Sequence, residues 1–142
     1  MDKLLIEFIN TLDLSLKKMQ KETGDRSGFS TLTISQLQYI DAIHSLGEPT
    51  ITTIAEKLHI TKASVTTGIH KLSSMGYVTK TRSKDDKRVF YISLTEAGEK
   101  LVEAKHQTLK EYGDFVNAAL TEDEARDLEK ILTKLVKLFE QA

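Results

Sequence analysis

Between Thr61 and Leu94 the sequence changes its hydrophobic period, and that change limits the fold more than any other feature. Val65, Ile69 and Leu72 share one side of a helix, and Gly76 gives it a C-terminal stop. From Tyr77 the period drops to two. Phe90, Ile92 and Leu94 alternate with Val89, Tyr91 and Ser93, a run rich in β-branched and aromatic residues. The polar Lys84-Asp85-Asp86-Lys87 interrupts it, so two strands flank a turn. Thr61 is placed to N-cap the helix Thr61 to Met75. Just before it, Ile54, Ala55 and Leu58 mark a short helix that follows Pro49 over Thr50 to Leu58. Two short helices joined by a tight turn and followed directly by a hairpin make a winged helix-turn-helix.

Long helices flank this unit. Leu5, Phe8, Ile9, Leu12, Leu16 and Met19 recur on one helical face until Gly24 and the polar stretch to Ser30. Thr33 with Gln36 forms a capping-box pattern ahead of Leu37, Ile40, Ile43 and Leu46, and Gly47 ends that run. Helical spacing returns at Thr95-Glu96-Ala97-Gly98 and continues to about Ala119. Thr121 and Glu124 then form a second capping box before Leu128, Ile131, Leu132, Leu135, Leu138 and Phe139. The expected class is mainly α with a small β-hairpin wing. Leu5, Phe8, Leu12 and Leu16 of the first helix, with Leu128, Leu132, Leu135 and Phe139 of the last, form apolar stripes that so small a lobe cannot fully bury. They predict an obligate homodimer.

With 142 residues the chain is long enough for one ordinary domain. The expected organisation is a single winged-helix domain over 1–142, with a DNA-binding lobe at 33–94 and dimerisation helices at 1–24 and 95–142. Charge is distributed unevenly. The net charge is -1, yet residues 61–91 hold seven Lys and Arg against two Asp, a local +5 of the kind that attracts phosphates. The absence of cysteine excludes disulfides and thiolate chemistry. No apolar run approaches a membrane span, and Glu7 interrupts the start too early for a signal peptide's apolar core, so a cytoplasmic protein is expected. There is no nucleophile elbow, no zinc-protease motif and no phosphate loop, which argues against an enzyme. His44, His59, His70 and His106 do not pair at the spacing that puts two ligands on one helix face, so neither a metal nor another cofactor is expected.

With Val65, Ile69 and Leu72 facing inward, Ala63, Thr67, His70 and Ser74 point outward, with Ser64, Thr66 and Lys71 on their flanks. This face is small and hydrogen-bonding, which permits close approach to base edges. Ala63 and the threonine methyls suit thymine methyls, and Lys62 or Lys71 suits phosphates. An ordinary solvated helix face is the alternative, although such faces carry more Glu and Lys. At the hairpin, Arg82, Lys84, Lys87 and Arg88 cluster around Asp85 and Asp86. A carboxylate there can orient an arginine toward the minor groove; a charged turn without function is the alternative. Thr61, as the cap, completes the candidate DNA-binding set of Thr61, Lys62, Ala63, Ser64, Thr66, Thr67, His70, Lys71, Arg82, Lys84, Asp86, Lys87 and Arg88.

Carried by these residues, Thr33 to Gly98 resembles the MarR family, whose pattern runs from a helix-turn-helix through an Asp-x-Arg wing to a Leu-Thr-x-x-Gly junction. Here those motifs are Asp86-Lys87-Arg88 and Leu94-Thr95-Glu96-Ala97-Gly98, joined by Leu72-Ser73-Ser74-Met75-Gly76-Tyr77-Val78. Val65-Thr66-Thr67, Gly76-Tyr77 and Arg82-Ser83 are similar to the family's repressors of fatty-acid synthesis genes in Gram-positive bacteria. The resemblance implies a triangular homodimer whose first and last helices dimerise. It also implies a repressor at a palindromic operator, with a small-molecule or acyl effector between dimer helices and lobes. Zinc-sensing members use His and acid clusters near the second and fifth helices, where this chain offers His44 and His106. The proline common in the family's wing is absent, with Lys84 nearby. Reuse of the winged helix as a protein-interaction module without specific DNA binding is the alternative function.

Overall fold

The helical caps read from the sequence set the element boundaries in the computed structural model, which describes residues 1–27 and 32–142. Among the described residues the order is α1 (Asp2–Ser27), α2 (Ile34–Leu46), α3 (Ile51–Leu58), α4 (Lys62–Ser74), β1 (Val78–Arg82), β2 (Phe90–Leu94), α5 (Glu96–Ala118) and α6 (Glu122–Glu140). Both capping boxes form. Thr33 accepts from the Gln36 amide while the Gln36 side chain accepts from Thr33, and Thr121 and Glu124 repeat the exchange. Thr50 and Thr61 cap α3 and α4 by accepting from the amides of Thr53 and Ser64. Gly47 and Gly76 end their helices at φ +82° and +83°, a region that L side chains avoid. One boundary differs from expectation: α1 continues through Gly24 to Ser27, since one glycine weakens a helix without forcing it to stop. The polar stretch beyond it, from Gly28 to Thr31, lies outside the described residues.

The chain divides into two units, Met1–His106 and Gln107–Ala142. In the first, Ile40, Ile43 and Leu37 of α2 pack with Ile54 of α3, Val65, Ile69 and Leu72 of α4, Val78 and Ile92 of the hairpin, and Leu101 and Val102 of α5. Ile43, Ile54, Val65, Ile69, Leu72 and Ile92 are wholly buried. β1 and β2 pair antiparallel, in a register that sets Val78 opposite Leu94 and Arg82 opposite Phe90. The backbone before α3 joins them: Thr50 bridges to Tyr91, and the Ile92 amide donates to the Pro49 carbonyl at 2.8 Å. The wing is therefore anchored at its base to the start of the helix-turn-helix.

The Leu94-Thr95-Glu96-Ala97-Gly98 junction has a local cause. The Thr95 hydroxyl donates to the Gly76 carbonyl at 2.6 Å and accepts from the Gly98 amide at 3.2 Å. The Thr95 amide donates to the Tyr77 carbonyl. A Cβ at Gly98 would stand 2.4 Å from that same carbonyl oxygen, so only glycine lets α5 start this close to the turn after α4.

The second unit contains the C-terminal part of α5 and all of α6. No residue of α6 is buried, and Leu132, Leu135 and Phe139 are 49%, 40% and 73% exposed. Leu132, with Val116, Leu120, Leu128 and Val136, lines an open, largely apolar groove between the two helices. In the first unit, α1 likewise leaves Leu5, Phe8 and Ile9 more than half bare or nearly so.

Candidate nucleic-acid interface

Burial of Val65, Ile69 and Leu72 fixes the rotation of α4. Thr61, Lys62, Ala63, Ser64, Thr66, Thr67, His70 and Lys71 are all exposed as a consequence. The first turn is tightly organised. The Thr61 hydroxyl accepts from the Ser64 amide at 3.1 Å and donates to the Ser64 hydroxyl at 2.9 Å. The Thr66 and Thr67 hydroxyls donate to the carbonyls of Lys62 and Ala63, at 2.9 and 3.1 Å. This modifies the expectation drawn from residue type. In the free protein these threonines present methyl groups and acceptor lone pairs, because their donors already serve the helix.

At the wing, the Asp86 carboxylate grips Arg88. Arg88 Nε donates to Oδ1 at 3.1 Å and Nη2 to Oδ2 at 3.2 Å, while the Arg88 backbone amide donates to Oδ1 at 3.0 Å. The Arg88 side chain is nevertheless 91% exposed. Its remaining donors face solvent in a direction that the carboxylate sets. The Arg88 side-chain bond, followed by its amide, holds the Asp86 carboxyl below the usual carboxylate range against a small opposing effect of burial. Lys84, Lys87 and Arg82 are exposed on the same hairpin.

Ser83 and Phe90, which are not in the candidate DNA-binding set, also shape the wing. Ser83 accepts from the amides of Asp85 and Asp86 at 3.2 and 3.3 Å, and its own amide donates to the Val89 carbonyl. The tip thus turns on the Ser83 hydroxyl, a side chain that can mimic a backbone turn acceptor. Arg82 lies with Cζ 5.1 Å from the centre of the Phe90 ring, its cross-strand neighbour, a cation–π contact that restrains a second wing arginine. The alternating aromatic at Phe90 was the available signal, but its use required the strand register.

The two histidines that sequence spacing kept apart come together. His44 and His106 stack edge to face at 5.9 Å, and His44 Nδ1 lies 3.6 Å from Glu99 Oε2. Among the described residues no group of three or more His, Asp or Glu could hold a metal ion. No described helix is long and apolar enough to cross a membrane.

Residues 32–90 match the model of the MarR family. The HTH-type transcriptional regulator YhjH of Bacillus subtilis is 34% identical over 86 residues, which are 61% of this chain and 47% of that one. The chain spans about half the length of the curated relatives it matches at 33–36% identity. The B. subtilis repressor MdtR is similar over 98% of this chain and 90% of its own, at 24% identity. Among solved structures, Streptococcus pneumoniae FabT in complex with DNA covers 99% of both chains with a TM-score of 0.85 and 23% identity, which shows the same winged-helix fold.

Proposed function

From the match of residues 32–90 to the MarR family model and the likeness to HTH-type transcriptional regulators, we propose that this chain is a MarR-family protein and a homodimeric, sequence-specific DNA-binding transcriptional regulator that represses from a palindromic operator in the cytoplasm. One observation carries the reading: Arg88 is almost fully exposed yet held by a two-pronged carboxylate grip. An exposed arginine gains little stability from such an ion pair. Its fixed direction has a use when a narrow, negative groove lies opposite. The local +5 of residues 61–91 and the small, hydrogen-bonding face of α4 support the same reading. FabT of similar fold was crystallised with DNA.

In this arrangement α4 enters the major groove and the hairpin reaches the minor groove. Lys62, Lys71, Lys84 and Lys87 meet phosphates, while Ala63, Ser64, Thr67 and His70 meet base edges. The bare apolar faces of α1 and α6 are covered by a second copy of the chain, which gives the two-fold symmetry that a palindrome mirrors. Selection of bound sequences from random duplex DNA tests the reading. A recovered palindrome is the expected result. Failure to enrich any sequence, or binding at physiological salt only to proteins, would overturn it in favour of an interaction module.

A further inference from the structure

We propose that Tyr39 of α2 is a positioning residue for DNA recognition: it sets where the first turn of α4 lies, and so how well that turn meets base edges. This rests on the DNA-binding reading above. Tyr39 is only 8% exposed, and its ring packs closely against Gly68 of α4. A Cβ at Gly68 would stand 2.2 Å from Cε2 and 2.8 Å from Cζ of that ring, so α2 and α4 approach this closely only because α4 has no side chain there. The same ring delivers its hydroxyl to the Ser64 carbonyl, where it donates a hydrogen bond at 3.3 Å.

Ser64 belongs to the turn that Thr61 caps. That turn is therefore held twice, along the chain by Thr61 and across the helix pair by Tyr39. Recognition helices contact bases mainly through their N-terminal residues. A slip of α4 along α2 would move Ala63, Ser64 and Thr67 together, without changing any charge. Tyr39 and Gly68 also line an open cleft together with Ser35 and Gln36 of α2 and Thr67 and Lys71 of α4. Polar groups from both helices thus share Tyr39 as their common reference. A tyrosine that merely filled the core would be replaced by phenylalanine without loss, since its ring would still be buried.

The experiment compares the full chain with Tyr39→Phe and Gly68→Ala by fluorescence anisotropy. The probes are the duplex selected by the unmodified chain and a scrambled duplex of equal composition, each at two salt concentrations, with thermal unfolding in parallel. Tyr39→Phe should bind the selected duplex about fivefold more weakly, the worth of one neutral hydrogen bond. Binding to the scrambled duplex and the salt dependence should stay as in the unmodified chain, while the melting temperature should fall by only a few degrees, since one hydrogen bond and no core volume is lost. Gly68→Ala should lose more selectivity, because a methyl must displace the ring. Full selective affinity in Tyr39→Phe, or equal weakening on both duplexes, would overturn the proposal. If the unmodified chain prefers no sequence, the functional reading itself fails, and this proposal fails with it.

Discussion

The lobe and the terminal helices are built from the same apolar residue types and treat them in opposite ways. In α2 to β2, Ile40, Ile43, Ile54, Ile69 and Ile92 are buried to 1% exposure or less. In α1 and α6, Phe8, Ile9, Ile131 and Leu138 are more than half exposed. The lobe closes its own core because α2, α3, α4 and the hairpin contribute to one shared cluster, whereas α1 and α6 keep apolar stripes bare. Bare stripes of this extent on both helices call for a partner surface. In the proposed dimer, the difference separates what one copy folds by itself from what a second copy completes.

Ile69→Ala and Leu132→Ala should break that comparison most visibly. Removing a wholly buried side chain from the lobe should cost about 2–5 kcal/mol of stability, whereas Leu132→Ala should cost far less in the folding of a single copy. Denaturant unfolding at protein concentrations low enough to leave single chains measures both, and equal losses there would mean that Leu132 is already packed within one copy. Next in size is assembly. Leu135→Glu should convert a dimer of twice 16.0 kDa into single chains while leaving the helical content of the lobe unchanged. Sedimentation equilibrium decides it, and an unmodified chain that sediments as a monomer at micromolar concentration would remove the proposed interface.

A smaller effect is expected at the wing, where order exists without burial. Arg88→Ala should weaken DNA binding, and so should Asp86→Ala, although the latter removes a negative charge near phosphates. The freed arginine must be ordered anew at a cost of about 1–2 kcal/mol, which exceeds the screened repulsion of one half-exposed acid. The double variant should lose less than the sum. Tighter binding by Asp86→Ala would contradict the orienting role.

The smallest effect is a titration. Because the Asp86 carboxyl is lowered by Arg88, the grip is complete above the ordinary carboxylate range and is lost only as the pH falls through the lowered value. Arg88→Ala should therefore move the Asp86 midpoint upward, as read by NMR of the side-chain carboxyl. An unmoved midpoint would mean that the two side chains part in solution.

Local chemistry was legible in the sequence. The caps at Thr33, Thr61 and Thr121 and the glycine stops at Gly47 and Gly76 each rest on bonds or dihedrals within a few residues, which residue type and spacing specify. The Asp86–Arg88 bonds belong to the same short range. What stayed hidden lies between elements. The Tyr39 ring on Gly68, Arg82 over Phe90, Pro49 bonded to Ile92, and His44 beside His106 all depend on helix packing or strand register. Gly68 carried a weak sign, a glycine inside a helical pattern where it costs about 1 kcal/mol and so needs a packing reason. The sequence did not say that the reason was a tyrosine. Gly24 is the converse case, a glycine that ends nothing: α1 runs on to Ser27.

The central claim is that α4 and the wing read DNA by sequence, and the affinity of the unmodified chain for its selected palindrome against a scrambled duplex, titrated from about 50 to 200 mM salt, tests it most directly. The account predicts that both affinities fall steeply with salt while the palindrome stays at least about a thousandfold tighter throughout. Equal affinities for the two duplexes, or a palindrome affinity that salt does not change, would contradict it.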